Sequence, residues 1–381
     1  MSNLRRGMMG VAAADTTTSG EIWGAGANTQ GQLGDGADSA RCSPVQFGSE
    51  TDWISATGRN TTQGINTSGE LWVSGYNSTG TLGLGDTTHR SSPTQVGTLT
   101  NWVSADNEDG VGIDEKNRCA LAIKTDGTLW GWGADYWGAI GSGGTTNFSS
   151  PHQVGSLNDW AACIRGYSTS FFVKTNGTLW VTGSNTNAGI TGMGNTTTYS
   201  SPVQVGSLTN WSPAPGHMTS YRYASFAIKT DGTLWAWGAN ANGACGLGNT
   251  TAYSSPVQVG SLTNWAFSGG GHHCGAAVKT DGSLWTWGRN AHGQLGHGNT
   301  TNISSPAQVG SLTDWSRVSI GYNGTMCHAM KTDGTVWSWG SGNLHLGLGD
   351  TTARSSPVQI GSLTTWFMLG TKLFRAVKTP S

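Results

Sequence analysis

Apolar and polar positions alternate strictly in a short segment that recurs along the chain, as in "SLWTWG" (Ser283 to Gly288), where Trp285 and Trp287 fall on one side of an extended backbone. Three other strand-length patterns accompany it. "WAFSGG" begins at Trp265, "GAAVKT" at Gly275 and "SPAQVG" at Ser305. The second and third are joined by Thr-Asp-Gly, the chemistry of a tight hairpin that tolerates positive φ. The proline of the fourth suits an outer strand, where a missing N–H is cheap. No stretch carries a helical period, so the pattern predicts an all-β chain built from four-stranded antiparallel units.

The unit repeats. The tryptophan of the third strand recurs at Trp23, Trp72, Trp130, Trp180, Trp235, Trp285 and Trp337. A tryptophan opening the first strand recurs at Trp53, Trp102, Trp160, Trp211, Trp265, Trp315 and Trp366. The proline recurs at Pro44, Pro93, Pro151, Pro202, Pro256, Pro306 and Pro357. Seven copies of each marker predict a seven-bladed β-propeller. The C-terminal "KLFRAVKTPS" ends where a third strand should follow, and the missing half-unit, "TTSGEIWGAG", stands near the N-terminus. The expected organisation is an arm over 1–16 and one propeller over 17–381, its last blade composed of about 17–48 and 366–379.

Spacing then separates scaffold from variation. From third-strand Trp to the next first-strand Trp the intervals are 30, 30, 30, 31, 30, 30 and 29 residues; from first-strand Trp to the following third-strand Trp they are 19, 28, 20, 24, 20 and 22. Length variation is therefore expected between strands one and two, at the end of the ring opposite the uniform K-T-D-G hairpins. Variable loops on a rigid scaffold commonly carry recognition, and aromatic and Arg side chains are favoured at interface centres. The candidate interaction face is Arg59, Asp106, Asp109, Arg118, Trp137, Arg165, Tyr167, His217, Tyr221, Tyr223, His272, His273 and Tyr322. Trp137 is the one tryptophan outside every register.

Composition narrows the function classes. Charged residues make up 11% and the formal net charge is −1, which gives no electrostatic footprint for a nucleic-acid backbone or anionic membrane. The 60 glycines and 19 tryptophans fit many turns around large buried rings. Six cysteines without a C-x-x-C pair read as buried thiols, and no apolar run is long enough to span a bilayer. The Gly-rich "GLGLGD" and "GLGNTT" segments lie inside blades with no helix following, so they read as turns and not as phosphate loops. The acidic stretch from Asp106 to Asn117 lacks the register of a calcium loop and reads as a solvated loop. His272 and His273, if on a strand, point to opposite faces and do not share a metal. No nucleophile–base or paired-carboxylate spacing stands out. Neither catalytic residues nor a cofactor or metal is expected, and the chain reads as a non-enzyme.

The motif "D-G-x-L-W-x-W-G-x-N-x-x-G-x-x-G-L-G", in register seven times, resembles the repeat of the regulator of chromosome condensation family, whose members are seven-bladed propellers. The resemblance implies an interaction scaffold. Founding members act as guanine-nucleotide exchange factors and bind nucleosomes, but this chain lacks basic tails and a blade-length insertion, so that role is not expected. A bacterial relative inhibits β-lactamase, which makes a secreted protein inhibitor or adhesin-type propeller an alternative. The brief apolar part of "MSNLRRGMMGVAAAD", interrupted by Gly10, speaks against a signal peptide. That terminus and the neutral repeats resemble bacteriophage structural proteins, which implies a virion location with Leu4, Arg5, Arg6, Met8 and Met9 as an assembly anchor; failing a virion, a cytoplasmic location is expected. Expected partners are proteins, chiefly neighbouring subunits of an assembly. Tyr136, Trp137, Tyr167, Tyr221 and Tyr223 leave a glycan-binding alternative open.

Overall fold

The fold is that of a computed structural model, which describes residues 19–57, 60–106, 119–185, 189–321, 324–342, 346–369 and 375–378. Its strands, numbered β1 to β28 in chain order, pair into four-stranded antiparallel sheets arranged as the blades of a propeller. Six sheets are built from consecutive strands, over 53–95, 102–153, 160–204, 218–258, 265–308 and 315–359. A further sheet has the order β2-β1-β28-β27, from β1 (Glu21–Gly26), β2 (Arg41–Gln46), β27 (Trp366–Leu369) and β28 (Arg375–Lys378). Residues 1–18, including all five of the assembly-anchor candidates, lie outside the described residues.

The sheet of β19 (Trp265–Gly270), β20 (Cys274–Lys279), β21 (Leu284–Gly288) and β22 (Ile303–Gln308) shows how the repeat motif works. Trp265 meets Trp285 and Trp287 edge-on, with ring centroids 6.2 and 6.4 Å apart. Trp265, Ala277 and Trp287 then pack on Phe226, Ile228, Ala236 and Val259 of the preceding sheet. The Trp287 indole N–H donates to the Ala244 carbonyl of that preceding sheet's Gly-rich loop at 2.9 Å. Trp132, Trp237 and Trp339 do the same to Thr81, Ile190 and Gln294. Where the second tryptophan is missing, hydroxyls replace it: Ser170 and Thr182 both donate to the Ala139 carbonyl, and Thr62 donates to that of Gln32. A buried carbonyl is thus satisfied at each of these junctions, as it must be away from water.

The K-T-D-G-S-L-W string is a second device. Asp281 accepts from the Ser283 hydroxyl, which accepts in turn from the Trp285 indole, at 2.6 and 2.8 Å. Lys279 Nζ stands 3.7 Å from the Trp285 ring centroid, so the lysine serves packing through a cation–π contact. Gly282 has φ +77°, and a Cβ there would collide with the Thr313 carbonyl of the turn leading to the next sheet. Gly246, at φ +71°, lies so close to the Trp287 indole that a side chain would not fit. The Gly-rich loops therefore seat one sheet on the next, as the turn reading expects. The five cysteines with described side chains, Cys119, Cys163, Cys245, Cys274 and Cys327, are buried free thiols.

One expectation about loop length needs correction. In the sheet over 218–258 the extra residues fall within the first strand, ahead of the loop that follows it. Trp211 bridges Lys229, the chain leaves the ladder, and pairing resumes only in β15 (Met218–Ser220). Pro213 and Pro215 explain the break, because neither has an N–H to give the neighbouring strand.

Candidate functional site

Strand order puts the loops after first and third strands at one end of the ring and the hairpins at the other. At the loop end, three consecutive sheets bring together a chain of rings and cations. Tyr167 follows β11 (Trp160–Arg165), Arg222 and Tyr223 connect β15 to β16 (Ala224–Ile228), and His272 and His273 connect β19 to β20. The Arg222 guanidinium lies 4.8 Å from the Tyr167 ring centroid and 5.3 Å from that of Tyr223. Tyr223 stacks on His273 at 4.8 Å with planes 20° apart and meets His272 edge-on at 4.9 Å. Arg289, just beyond β21, donates its backbone N–H to the His273 carbonyl at 2.8 Å. All six side chains are half-buried.

The electrostatics of this cluster are one-sided. Burial first, then the positive charges of Arg289 and Arg222, hold the His273 imidazole below its ordinary 6.5. The ion pairs among the described residues join Arg41 to Asp35, Arg90 to Asp86, Lys174 to Asp159, Lys331 to Asp314 and Arg354 to Asp350, and none involves Arg222 or Arg289. Between Asp159 and Asp350 every Asp belongs to a T-D-G hairpin or the T-D-W turn, and there is no Glu. Those positions are all at the hairpin end. The acids of this half of the ring are therefore confined to the hairpin end, where Lys174, Lys229, Lys279 and Lys331 stand beside them, while Arg222 and Arg289 lie at the loop end with no acid among the described residues.

The remaining candidates distribute unevenly. Arg165 is 1% exposed and spends its guanidinium on Cys119 Sγ at 2.7 Å and on the carbonyls of Gly166, Thr169 and Tyr167. It fixes the loop that carries Tyr167 and presents nothing to a partner. Tyr221 is likewise buried, its ring 5.4 Å from that of His272. His217 lies low on the inner strand, its carbonyl accepting from the Ile228 N–H, and so stands apart from the cluster. Trp137, 40% exposed beside Tyr136 at 47%, sits in the loop between β9 (Leu129–Gly133) and β10 (Phe148–Gln153). Asp106 ends β7 (Trp102–Asp106), its side chain outside the described residues, as are Arg59, Asp109, Arg118 and Tyr322. The two histidines occupy a turn and not a strand, so the opposite-face argument does not apply, and their rings stand 5.3 Å apart. No group of three or more His, Cys, Asp or Glu among the described residues could hold a metal.

Sequence reasoning passed over Arg222 and Arg289. The signal that finds them is a negative one, the absence of carboxylates from the loop end of this half of the chain, combined with the flanking tyrosines of "YRY".

Comparison with known proteins agrees with the repeat. The profile of the regulator of chromosome condensation repeat matches residues 68–106, 231–277 and 281–328. The chain is 26% identical over 251 residues to the human E3 ubiquitin-protein ligase HERC2, covering 64% of this chain and 5% of that protein. It is 32% identical over 142 residues to the ultraviolet-B receptor UVR8 of Arabidopsis thaliana, covering 36% of this chain and 31% of the receptor. The chain thus spans under a third of each of these relatives. Among solved structures, Prp20p of Saccharomyces cerevisiae superposes with a TM-score of 0.80 at 18% identity, over 95% of this chain and 91% of that one. Human WBSCR16 gives 0.77 at 16% identity, over 94% and 98%. Identities this low speak for the fold alone. Taken with the matched repeats, they show that this chain carries regulator of chromosome condensation repeats and folds as a propeller of that kind.

Proposed function

We propose that this protein is a non-enzymatic interaction propeller whose loop end engages a protein partner. The observation that carries the reading is the contrast between the ends. The hairpin end repeats one interlocked design, whereas the loop end holds the stacked Tyr167, Arg222, Tyr223 and His273 in a single cluster. Tyr and Arg in half-buried stacks supply contact area at little conformational cost, which suits an interface centre. Protein partners are also named for the structural neighbour, since yeast Prp20 has been solved with Kap60 bound.

We further infer that the sheet β2-β1-β28-β27 is the seventh blade and closes the ring. Met330, Val336 and Ile360 pack with Ala25 and Trp366 on one side of it, and Phe47, Ile22 and Val377 pack with Trp53 on the other. The neutral repeats and the Leu4 to Met9 segment support a place in a multi-subunit assembly such as a virion, with the arm as its anchor.

A photocrosslinking amino acid at Tyr167 or Tyr223, compared with Thr230 or Thr280 at the hairpin end, tests the main reading in the protein's native setting. Loop-end positions are expected to capture a defined protein. Crosslinks from the hairpin end alone would overturn the assignment.

A further inference from the structure

The loop-end cluster has the chemistry of an anion receiver, and its geometry indicates what kind of anion. Arg222 is held between two tyrosine rings with its Nε buried and without a hydrogen-bond partner. Arg289 is anchored by its backbone to the turn that carries His273. An arginine parked on aromatic faces keeps its fork of donors pre-organised for a carboxylate, with less rotamer freedom to lose on binding. Ordinarily a half-buried guanidinium finds an acid in its own chain, as Arg41, Arg90 and Arg354 do. Neither Arg222 nor Arg289 does so among the described residues.

We propose that Arg222 and Arg289, with the Tyr223–His273 stack between them, form a docking site for an acidic, carboxylate-bearing segment of a protein partner. The proposal rests on the loop end being the interaction surface, and it specifies the chemistry of what docks there. A protein segment is favoured over nucleic acid on charge grounds. The whole chain carries a net charge of −1, and at the hairpin end of this half of the ring Asp231, Asp281, Asp314 and Asp333 stand beside Lys229, Lys279 and Lys331, so no broad positive field backs the cluster. A long polyanion draws its affinity from a track of several cations along its backbone, and the loop end of these sheets offers only Arg222 and Arg289, the Arg165 guanidinium being spent on its own loop. A short run of carboxylates needs only the local pair.

The site also makes a prediction about His273. The groups facing it are Arg222, Arg289, His272 and Tyr223, none of which is an acid. A carboxylate seated between the arginines offsets their repulsion, so the imidazole gains basicity when the site fills. Affinity then rises as pH falls toward the imidazole's titration range.

The test uses the full chain and a fluorescent peptide of about ten glutamates, followed by anisotropy at low and physiological salt. Binding is expected, weakened by salt, and reduced by about tenfold or more in the Arg222→Gln/Arg289→Gln double variant, as when one side of a close charge pair is truncated. Arg222→Lys/Arg289→Lys should recover part of the loss, and Arg41→Gln, which breaks an ion pair elsewhere, should change nothing. An NMR titration of His273 should show its midpoint rising when the peptide saturates. Equal binding by the double variant, no binding at all, or tighter binding of an oligothymidylate at the same residues would each overturn the proposal. Matching circular dichroism spectra for the variants keep a folding defect from imitating the result. A partner captured at Tyr167 or Tyr223 whose binding survives the double variant would sink the acidic-segment chemistry while leaving the loop end as the interaction surface. Loss of loop-end crosslinks in the wild type would sink both.

Discussion

Asp135 replaces an asparagine that five sibling repeats keep, and replacing it with Asn should stabilise the protein in a pH-dependent way. Asn28, Asn77, Asn185, Asn240 and Asn290 hold the Gly-rich loop from both amide ends. In Asn240, Oδ1 accepts from the Cys245 N–H at 2.7 Å and Nδ2 donates to the Asn249 carbonyl at 3.0 Å. Asp135 keeps the first contact, accepting from the Ile140 N–H at 2.8 Å, but an ionised carboxylate has no donor for the second. The residue is 1% exposed, and burial raises its pKa from 3.8 to about 6 against the opposing pull of the Ile140 N–H and the Arg165 charge. A shift of that size disfavours the charged form by about 3 kcal/mol. The sign follows from the raised acid: the folded state binds the proton more tightly than the unfolded chain. The penalty is complete above the folded pKa and fades as pH falls toward 3.8. Asp135→Asn is therefore expected to gain up to about 3 kcal/mol near pH 7.5, about half that near pH 5, and about a fifth of it near pH 4. Urea midpoints at these pH values, with the slope unchanged between the two proteins, read the effect directly. A variant no more stable at neutral pH, or one whose advantage grows on acidification, would refute the reasoning.

Trp287→Phe keeps most of the buried ring but leaves the Ala244 carbonyl without its indole donor, and should cost about 1–3 kcal/mol in urea unfolding. Trp285→Phe, half-buried with its N–H on the Ser283 hydroxyl, should cost less, so the reverse order would contradict the assigned roles. Truncation after residue 365 removes β27 and β28 and uncovers Ile22 and Trp53. Limited proteolysis should then attack the sheets at both termini. A truncated chain as resistant as the full one would argue against ring closure through the composite sheet.

The four-stranded units were legible because each marker residue does one physical task at every copy. The proline sits on an outer strand, Gly282 allows the hairpin to meet Thr313, and the tryptophans join sheets. The path of residues 212–217 was less so, since spacing shows that residues are added but not where in the loop or strand they go. The functional cluster was half legible. Tyr167, Tyr223, His272 and His273 stand out as departures from the repeat; Tyr223 meets both histidines, and Tyr167 joins them through Arg222. Arg165 and Tyr221 stand out equally, yet both are buried: Arg165 folds back onto the carbonyls of its own loop, and Tyr221 turns in against His272 of the next sheet. Pattern registers that a residue is unusual. Whether its polar atoms are spent inside or left facing out depends on χ angles that spacing does not encode.

That distinction also explains why the arginines divide as they do. Arg41, Arg90 and Arg354 occupy one repeat position, at the start of the fourth strand, and each finds an aspartate four to six residues back in its own loop: Asp35, Asp86 and Asp350. In the repeats over 160–308 those aspartates are replaced by Asn195, Asn249 and Asn299, which bond Tyr199, Tyr253 and local backbone instead. The repeats where Arg222 and Arg289 appear therefore lack both the local acid and the arginine that would match it, and carry Asn bonded to Tyr or to backbone instead. Among the described residues neither Arg222 nor Arg289 pairs with a carboxylate, and Asp350 in the next sheet's loop is already taken by Arg354. The ring's repeat supplies the rigidity, and the local removal of acids leaves the charge uncompensated. Restoring an acid, as in Asn249→Asp, should add an internal competitor at the loop end. If the arginine pair recruits carboxylates, that substitution weakens the glutamate peptide modestly, whereas Asn195→Gln, neutral by construction, leaves it unchanged.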